Sequence, residues 1–386
     1  MGPLAGVKIV EIAGLGAAPY GCMMLADMGA EVIRVDRIGG RDDTPPTTPL
    51  LRNRRAIAVD LKKKEGIETV LALIEKADIV VEAFRPGVAE RLGIGPEDCL
   101  KRNPRIVYGR MTGWGQTGPL AQRAGHDLNY IGLSGVLNQI GPTGGKPVVP
   151  LNVIGDFGGG GLLLAFGLAC ALFEARQSGK GQVVDAAMVD GAISFMAMFF
   201  GYRAEGQFND KTGQHLLGGG AHYYDVYEAK DGKYLSVAPI EPQFYAKFIE
   251  MLGLDAARYK TAAYPAFSEQ TIEHDWPQLK AELTELFKTR TRDDWCEFFA
   301  GFDVCVEPVL TLEEAPQHPH NIARNAFVEV GGLLQNAPAP RFSRTINDLP
   351  KAPPPHANAD TDAIIADWGI DPDLVARARQ AGGLGS

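Results

Sequence analysis

Short apolar runs separated by helically spaced segments set the rhythm of the first two hundred residues. The runs at 7–12 and 32–35 flank a segment, 19–28, whose apolar positions recur with helical spacing, so the opening reads as strand, helix, strand. The runs at 79–82 and 106–108 each follow a helical stretch, 65–76 and 91–101, and 181–184 leads into another apolar helix. Strands that alternate with helices pair in parallel, because each return to the sheet crosses over through a helix. The pattern predicts an α/β, Rossmann-like domain.

Near residue 200 the pattern changes. A glycine-rich stretch, 213–220, precedes two apolar runs, 223–228 and 234–238, that flank Asp231-Gly232, a strong hairpin signal. A helix follows directly: Pro242 suits its first position, and Phe244, Phe248, Met251 and Leu252 form one stripe. Two more helical stretches, 276–289 and 292–299, complete an α+β region. A proline-rich segment then returns as extended chain. These shifts predict a discontinuous large domain, 1–225 plus 316–386, with a smaller α+β domain inserted at 226–315.

Composition narrows the class. The 386 residues hold 38 Lys plus Arg against 47 Asp plus Glu, a net charge of −9, which argues against a general nucleic-acid binder or a basic membrane-surface protein. The charge is uneven. Residues 226–315 carry nine basic and seventeen acidic side chains, whereas 34–64 carry nine basic and four acidic. Five scattered cysteines without a CxxC pair point to a reducing cytoplasm. The N-terminal stretch has no charged segment followed by an apolar one, so no signal peptide is read. The most apolar window, 158–173, falls short of the ~20 residues that span a bilayer and reads as a core helix.

Several groups carry chemistry, each with a plain structural alternative. Gly14-Leu15-Gly16-Ala17-Ala18-Pro19, with Asp36 about 20 residues on, approximates a dinucleotide fingerprint, but Pro19 replaces its third glycine. The basic stretch Arg34, Arg37, Arg41, Arg52, Arg54, Arg55 and 62–64 suits phosphate oxygens, or a solvated face. His126, in Gly125-His126-Asp127-Leu128-Asn129-Tyr130, stands where a turn enters a helix, so its imidazole lies beside free backbone N–H groups that could hold an oxyanion. Asp156 reads as the N-cap of the apolar helix, or as an acid whose pKa is raised by an apolar, glycine-lined space. Glu241, before Pro242, reads as a capping acid.

Taken together, the sequence resembles the family III CoA-transferase superfamily, and within it the α-methylacyl-CoA racemase branch. The resemblance rests on Val10-Glu11-Ile12-Ala13-Gly14, Arg110-Met111-Thr112-Gly113-Trp114-Gly115-Gln116-Thr117-Gly118-Pro119, the 125–130 motif, Gly179-Lys180-Gly181-Gln182-Val183-Val184-Asp185 and Ile240-Glu241-Pro242-Gln243-Phe244-Tyr245. It covers roughly residues 2–345; the last 40 match poorly. It implies an enzyme that interconverts (2R)- and (2S)-2-methylacyl-CoA thioesters without metal, NAD or flavin. His126 and Asp156 would be the acid/base pair, Asn152 would bond Asp156, and the Asp127 N–H would hold the enolate oxygen. CoA, carrier part of the substrate, would meet Arg37, Ala58, Val59, Asp60, Leu61, Ala83, Phe84, Arg85, Arg91, Gly125, His126, Leu128, Asn129 and Tyr130. An interlocked homodimer is implied, in which Glu241 orients the other copy's His126. Tyr20, Met111, Trp114 and 158–161 are candidate acyl-site residues. Leu217-Gly218-Gly219-Gly220-Ala221-His222 departs from the branch's Asp-Gly-Gly-Ala-Pro, which bears on substrate range. A transferase of the same fold with Asp156 as nucleophile, a silent acyl-CoA-binding protein and an NAD dehydrogenase are the competing readings.

Overall fold

The computed structural model describes residues 2–40, 48–206, 208, 210–260 and 275–385. They fall into two compact units, one within 1–134, 151–195 and 320–386 and the other within 135–150 and 196–319.

The first unit is built on strands β1 (Lys8–Ile12), β2 (Glu31–Asp36), β3 (Arg54–Ala58), β4 (Ile79–Glu82), β5 (Val107–Thr112) and β6 (Val183–Ala187). They form one parallel sheet in the order β3-β2-β1-β4-β5-β6. Crossovers and covering layers come from α1 (Ala17–Asp27), α2 (Lys64–Glu75), α3 (Val88–Arg91), α4 (Pro96–Arg102), α5 (Asp127–Leu133), α6 (Leu163–Ser178) and α7 (Met188–Ser194). Alternate strand residues point to opposite faces. Val10, Ile33 and Val80 therefore pack with Val70, Leu73 and Ile74 of α2, while Ile9, Val32 and Val81 pack with Cys22 and Leu25 of α1 and Leu164 and Leu168 of α6. Both sheet faces are covered, which explains the continuous apolar runs.

Two details differ from the sequence expectations. The stretch 91–101 is not one helix: Gly93, with a positive φ of 74°, ends the first piece, and Pro96 starts the next. β3 was hidden inside the basic stretch because two of its five residues, Arg54 and Arg55, are basic.

In the second unit β7 (Asp225–Glu228), β8 (Tyr234–Val237) and β9 (Val306–Val309) make an antiparallel sheet, with β8 central. Helices α8 (Pro242–Leu252), α9 (Trp276–Phe287) and α10 (Arg292–Phe299) enclose an aromatic core of Tyr227, Phe248, Phe287, Trp295 and Phe299. The unit reaches beyond the expected 226–315. Leu216, Ala221 and Tyr223 belong to its core beside Tyr245 and Trp276, and 135–150 joins it as well. The departure at 217–222 is part of this packing. His222 is fully buried, and because the Tyr245 hydroxyl donates to the Tyr259 carbonyl (3.0 Å), His222 Nε2–H must donate to that hydroxyl (2.7 Å).

The chain returns to the first unit with the hairpin β10 (Phe327–Val330) and β11 (Leu333–Asn336), then α11 (Thr361–Trp368) and α12 (Pro372–Gln380). Of the prolines read as extended chain, those at 338, 340, 350 and 353–355 do lie outside helix and strand, whereas Pro316 and Pro319 sit in short helical turns. The hairpin and both helices were not read from the sequence. Arg52 fastens the hairpin: it is fully buried, pairs with Asp27, and donates to Gln335 Oε1 and the Asn336 carbonyl (both 2.8 Å).

Candidate active site

Asp156 does not cap the apolar helix. It lies inside a widened helix, Val153–Leu162, of π type, in which the Phe157 N–H donates five residues back to the Asn152 carbonyl. Wide turns of this kind are rare and concentrate at functional sites. This one runs straight into α6, giving a continuous helix of 26 residues, Val153–Ser178. By length and composition it could cross a membrane, so the expectation from a 16-residue window does not hold on length. The core-helix reading holds for one face only. Leu164, Leu168 and Leu172 are buried, whereas Phe166 and Phe173 are two-thirds exposed.

The glycines around Asp156 are required by close backbone approach. A Cβ on Gly155 would sit 2.6 Å from Asp127 Oδ2, and a Cβ on Gly191 of α7 only 1.9 Å from the Gly159 carbonyl oxygen. No side chain fits either place. Packing at this range brings the widened turn against both α7 and Asp127.

His126 is the N-cap residue of α5, with extended backbone (φ −133°) and an exposed side chain. Its own N–H donates to Asn129 Oδ1 (3.0 Å), which fixes the turn. The N–H groups of Asp127 and Leu128 lie in the first helical turn and have no carbonyl four residues back. Asp127 points inward. Its Oδ2 accepts the N–H of Gly155 (2.6 Å) and of Asp156 (2.8 Å), while its buried Oδ1 has no partner among the described residues. Burial raises the Asp127 pKa, against the two N–H bonds that lower it, and the Asp156 charge raises it further. Asn152 Nδ2 donates to Asp156 Oδ2 (3.0 Å), as the resemblance implied. Gly16, in the turn after β1, faces the same carboxylate: a Cβ there would lie 3.6 Å from Asp156 Oδ2. Tyr130 donates to the Gly125 carbonyl and packs edge-on to Trp114, and Tyr20 meets Phe157 at 4.8 Å.

A cavity of ≈ 570 Å³ opens at the ends of β1, β2 and β3. Arg37, Val59, Asp60, Leu61 and Phe84 line it, together with 12–15, Arg34, Asp36, Lys62 and Leu92. This is the carboxyl edge of a parallel sheet near its order reversal, the usual ligand position in such folds. Ala58 ends β3 beside it. Ala83 is held near it by Glu82, whose Oε2 accepts the Phe84 N–H (2.6 Å) and whose Oε1 pairs with Arg110.

Most of the basic stretch is not directed at a ligand. Arg34 and Arg54 are buried around the fully buried Glu11 (2.6 and 3.0 Å), and Arg34 also bonds Asp36 and the Gly14 carbonyl. Burial alone would raise the Glu11 pKa, but the two guanidinium groups outweigh it and the net shift is downward. Arg52 pairs with Asp27, and Arg55 with Asp367 and Glu31. Arg37 and Lys62 remain at the cavity; Arg41 lies outside the described residues. With the Asp36 carboxylate bonded by Arg34, the dinucleotide reading loses the acid it needs for a ribose.

The structure thus brings His126, Asp127, Asn152 and Asp156 together through direct bonds or adjacency, and gathers Arg37 and 59–61 with Phe84 in one cavity. The exposed Arg85 and Arg91, and Gly125, Leu128, Asn129 and Tyr130, are not among the cavity's walls. Glu241, exposed, is the N-cap of α8 in the second unit, where no side-chain capping bond forms. The side-chain role of Asp127 escaped the sequence reading, since nothing local distinguishes an inward from an outward first-turn aspartate.

The pattern matching CoA-transferase family III covers residues 4–361, and the chain belongs to that family. Among its relatives are proteins named alpha-methylacyl-CoA racemase. The one from Mus musculus is 42% identical over 89% of this chain and 87% of its own, and the one from Homo sapiens 39% identical over 95% and 94%. The succinyl-CoA:glutarate CoA-transferase of Homo sapiens is 32% identical over 91% and 83%. A crystal structure of a CAIB/BAIF family protein from Brucella suis superposes with a TM-score of 0.78 at 28% identity, covering 95% of this chain and 99% of that one.

Proposed function

We propose that the protein is an acyl-CoA racemase that interconverts the (2R) and (2S) epimers of 2-methylacyl-CoA thioesters. The observation that carries the reading is the tie between the two proton carriers: Asp127 follows His126 in the chain and accepts the N–H of Asp156 at 2.8 Å. Identities of 42% and 39% to two racemases, against 32% to a transferase, favour this reading within the family.

Epimerisation needs a base and an acid on opposite faces of the α-carbon. A neutral His126 with a protonated Asp156 is one competent state, and the reverse is the other. A thioester α-proton is far less acidic than an imidazolium, and each pKa unit of mismatch costs about 1.4 kcal/mol. The enolate therefore needs electrostatic support, and one well-placed donor contributes about 3–4 kcal/mol. The free Asp127 N–H at the start of α5 is that donor. CoA is the carrier part of the substrate, its nucleotide end held in the cavity beside Arg37, Val59, Asp60, Leu61 and Phe84, and no further cofactor is required. The active form is a homodimer in which Glu241 of the second copy orients His126. The exposed Leu162, Phe166 and Phe173 on one helix are the kind of apolar surface an interface covers.

The test is incubation with (2S)- and (2R)-2-methylacyl-CoA in D2O, following α-deuterium and stereochemistry. Exchange with loss of chirality and no added acid supports the racemase. Transfer of CoA only when a free acid is supplied would instead identify Asp156 as a nucleophile and overturn the proposal. No exchange under either condition would leave a binding protein.

A further inference from the structure

The C-terminal segment of the first unit, which runs on past the family match ending at residue 361, follows the free edge of β3. At Ala56 both backbone groups are engaged by Asp360: the Ala56 N–H donates to its Oδ2 (2.9 Å) and the Ala56 carbonyl accepts its N–H (3.2 Å). At Ala58 the carbonyl accepts the Gly385 N–H (2.8 Å), and at Asp60 the N–H donates to the Gly383 carbonyl (3.0 Å). Val59 and Leu384 form the antiparallel bridge between them. Alternate residues 56, 58 and 60 are those whose backbone groups face outward from β2, so the last residues act as one more strand on the sheet.

The approach is close. A Cβ on Gly383 would lie 2.8 Å from the Gly66 nitrogen, and a Cβ on Gly66 2.9 Å from the Gly383 oxygen and 2.3 Å from the Asp60 oxygen. Gly383, Leu384 and Gly385 are all buried, and Leu384 packs with Val59 and Ile57. On its inner side Val59 donates to the Asp36 carbonyl (2.8 Å). The segment 58–61, three residues of which line the cavity, is thus held between β2 and the tail.

We infer that residues 383–385 position the 58–61 wall of the cavity and so set affinity for the nucleotide end of the thioester. The inference rests on the reading of that cavity as the CoA nucleotide site. Because 383–385 touch the wall and not the acid/base pair, their loss acts on KM for a CoA thioester and leaves kcat in place.

Two variants test it: Gly383→Val, and a chain ending at Gly382, each checked for wild-type secondary structure by circular dichroism. Racemisation is measured with a 2-methylacyl-CoA and with the matching 2-methylacyl-pantetheine, which lacks the nucleotide, and binding of adenosine 3′,5′-bisphosphate is measured by calorimetry. The expected result is a rise of about tenfold or more in KM for the CoA thioester and in Kd for the bisphosphate, a change of ~1.4 kcal/mol, with kcat and the pantetheine rates unchanged. Equal losses on both thioesters, or bisphosphate affinity equal to wild type, would overturn the positioning role. Wild-type protein that binds no bisphosphate and does not prefer the CoA thioester would instead overturn the nucleotide reading of the cavity, and the inference with it.

Discussion

Asp127 Oδ2 accepts the Asp156 backbone N–H at 2.8 Å, so a residue adjacent to the candidate histidine carries the backbone of the candidate aspartate. The same oxygen accepts the Gly155 N–H. One carboxylate therefore sets the spacing between α5 and the widened helix, and any change to it is felt at both proton carriers.

Replacing Asp127 by Ala leaves two inner N–H donors unmatched, each costing about 1–3 kcal/mol. Asp127→Ala is expected to lower stability in urea by that order and to slow α-deuterium exchange at least tenfold, about 1.4 kcal/mol of barrier. Asp127→Asn keeps one acceptor oxygen and should fall between wild type and Ala. Wild-type exchange in a stably folded Asp127→Ala protein would show that the tie has no catalytic consequence.

The arginines of the basic stretch divide into two kinds, and substitution separates them. Arg52→Ala strands the buried Asp27 carboxylate, a loss of about 3–5 kcal/mol by analogy with other broken buried pairs, and should shift the denaturation midpoint strongly. Arg37→Ala, at the cavity, should weaken CoA binding severalfold with a midpoint within about 0.5 kcal/mol of wild type. A reversed pattern in calorimetry and denaturation would contradict the ion-pair assignments.

Gly191→Ala forces a methyl group to within 1.9 Å of the Gly159 carbonyl oxygen. Overpacking of this kind costs about 1–3 kcal/mol, and relief requires the widened helix to move, carrying Asp156 with it. Exchange activity should drop with stability, while Gly201→Ala, inside a helix with open space at its Cβ, should leave activity in place and add about 0.5–1 kcal/mol of stability. Full activity in Gly191→Ala would argue against a fixed position for that turn.

His222 is held neutral by burial, which brings its pKa down to about 3, with Lys280 adding to the shift. A histidine with a depressed folded pKa supports the native state above its unfolded value, about 6.5. That contribution is lost as pH falls from there toward 3. Between pH 6 and 4 unfolding free energy should drop by up to about 1.4 kcal/mol per pH unit from this group alone. His222→Phe, less stable at neutral pH for want of the Tyr245 bond, should show a slope shallower by one proton. An unchanged slope would place the titration elsewhere.

Much of the fold was legible because its strands are buried on both sides. Val10, Val32 and Ile79 lie in runs that admit few other readings. β3 was not legible, since Arg54 and Arg55 resemble a solvated or anion-binding face until Glu11 and Asp367 are seen opposite them. The same blindness affects the site. His126 stands at a helix start, as the sequence pattern indicates, but of the two readings open for Asp156 the cap does not hold, because nothing in a run of apolar and glycine residues marks a helix as five-residue rather than four-residue in register. The hairpin β10–β11 was masked by the prolines around it, and its anchor on Arg52 joins residues 283 apart in sequence.

The closed ion network beneath the cavity has a kinetic corollary. Glu11 and Asp36 cancel Arg34 and Arg54 within the sheet, so four formal charges close to the pocket add almost nothing to the field a polyanion meets on approach. The attraction it does meet comes from Arg37 and Lys62, which remain at the cavity, so the salt dependence of its association rate should report those two side chains rather than the buried network.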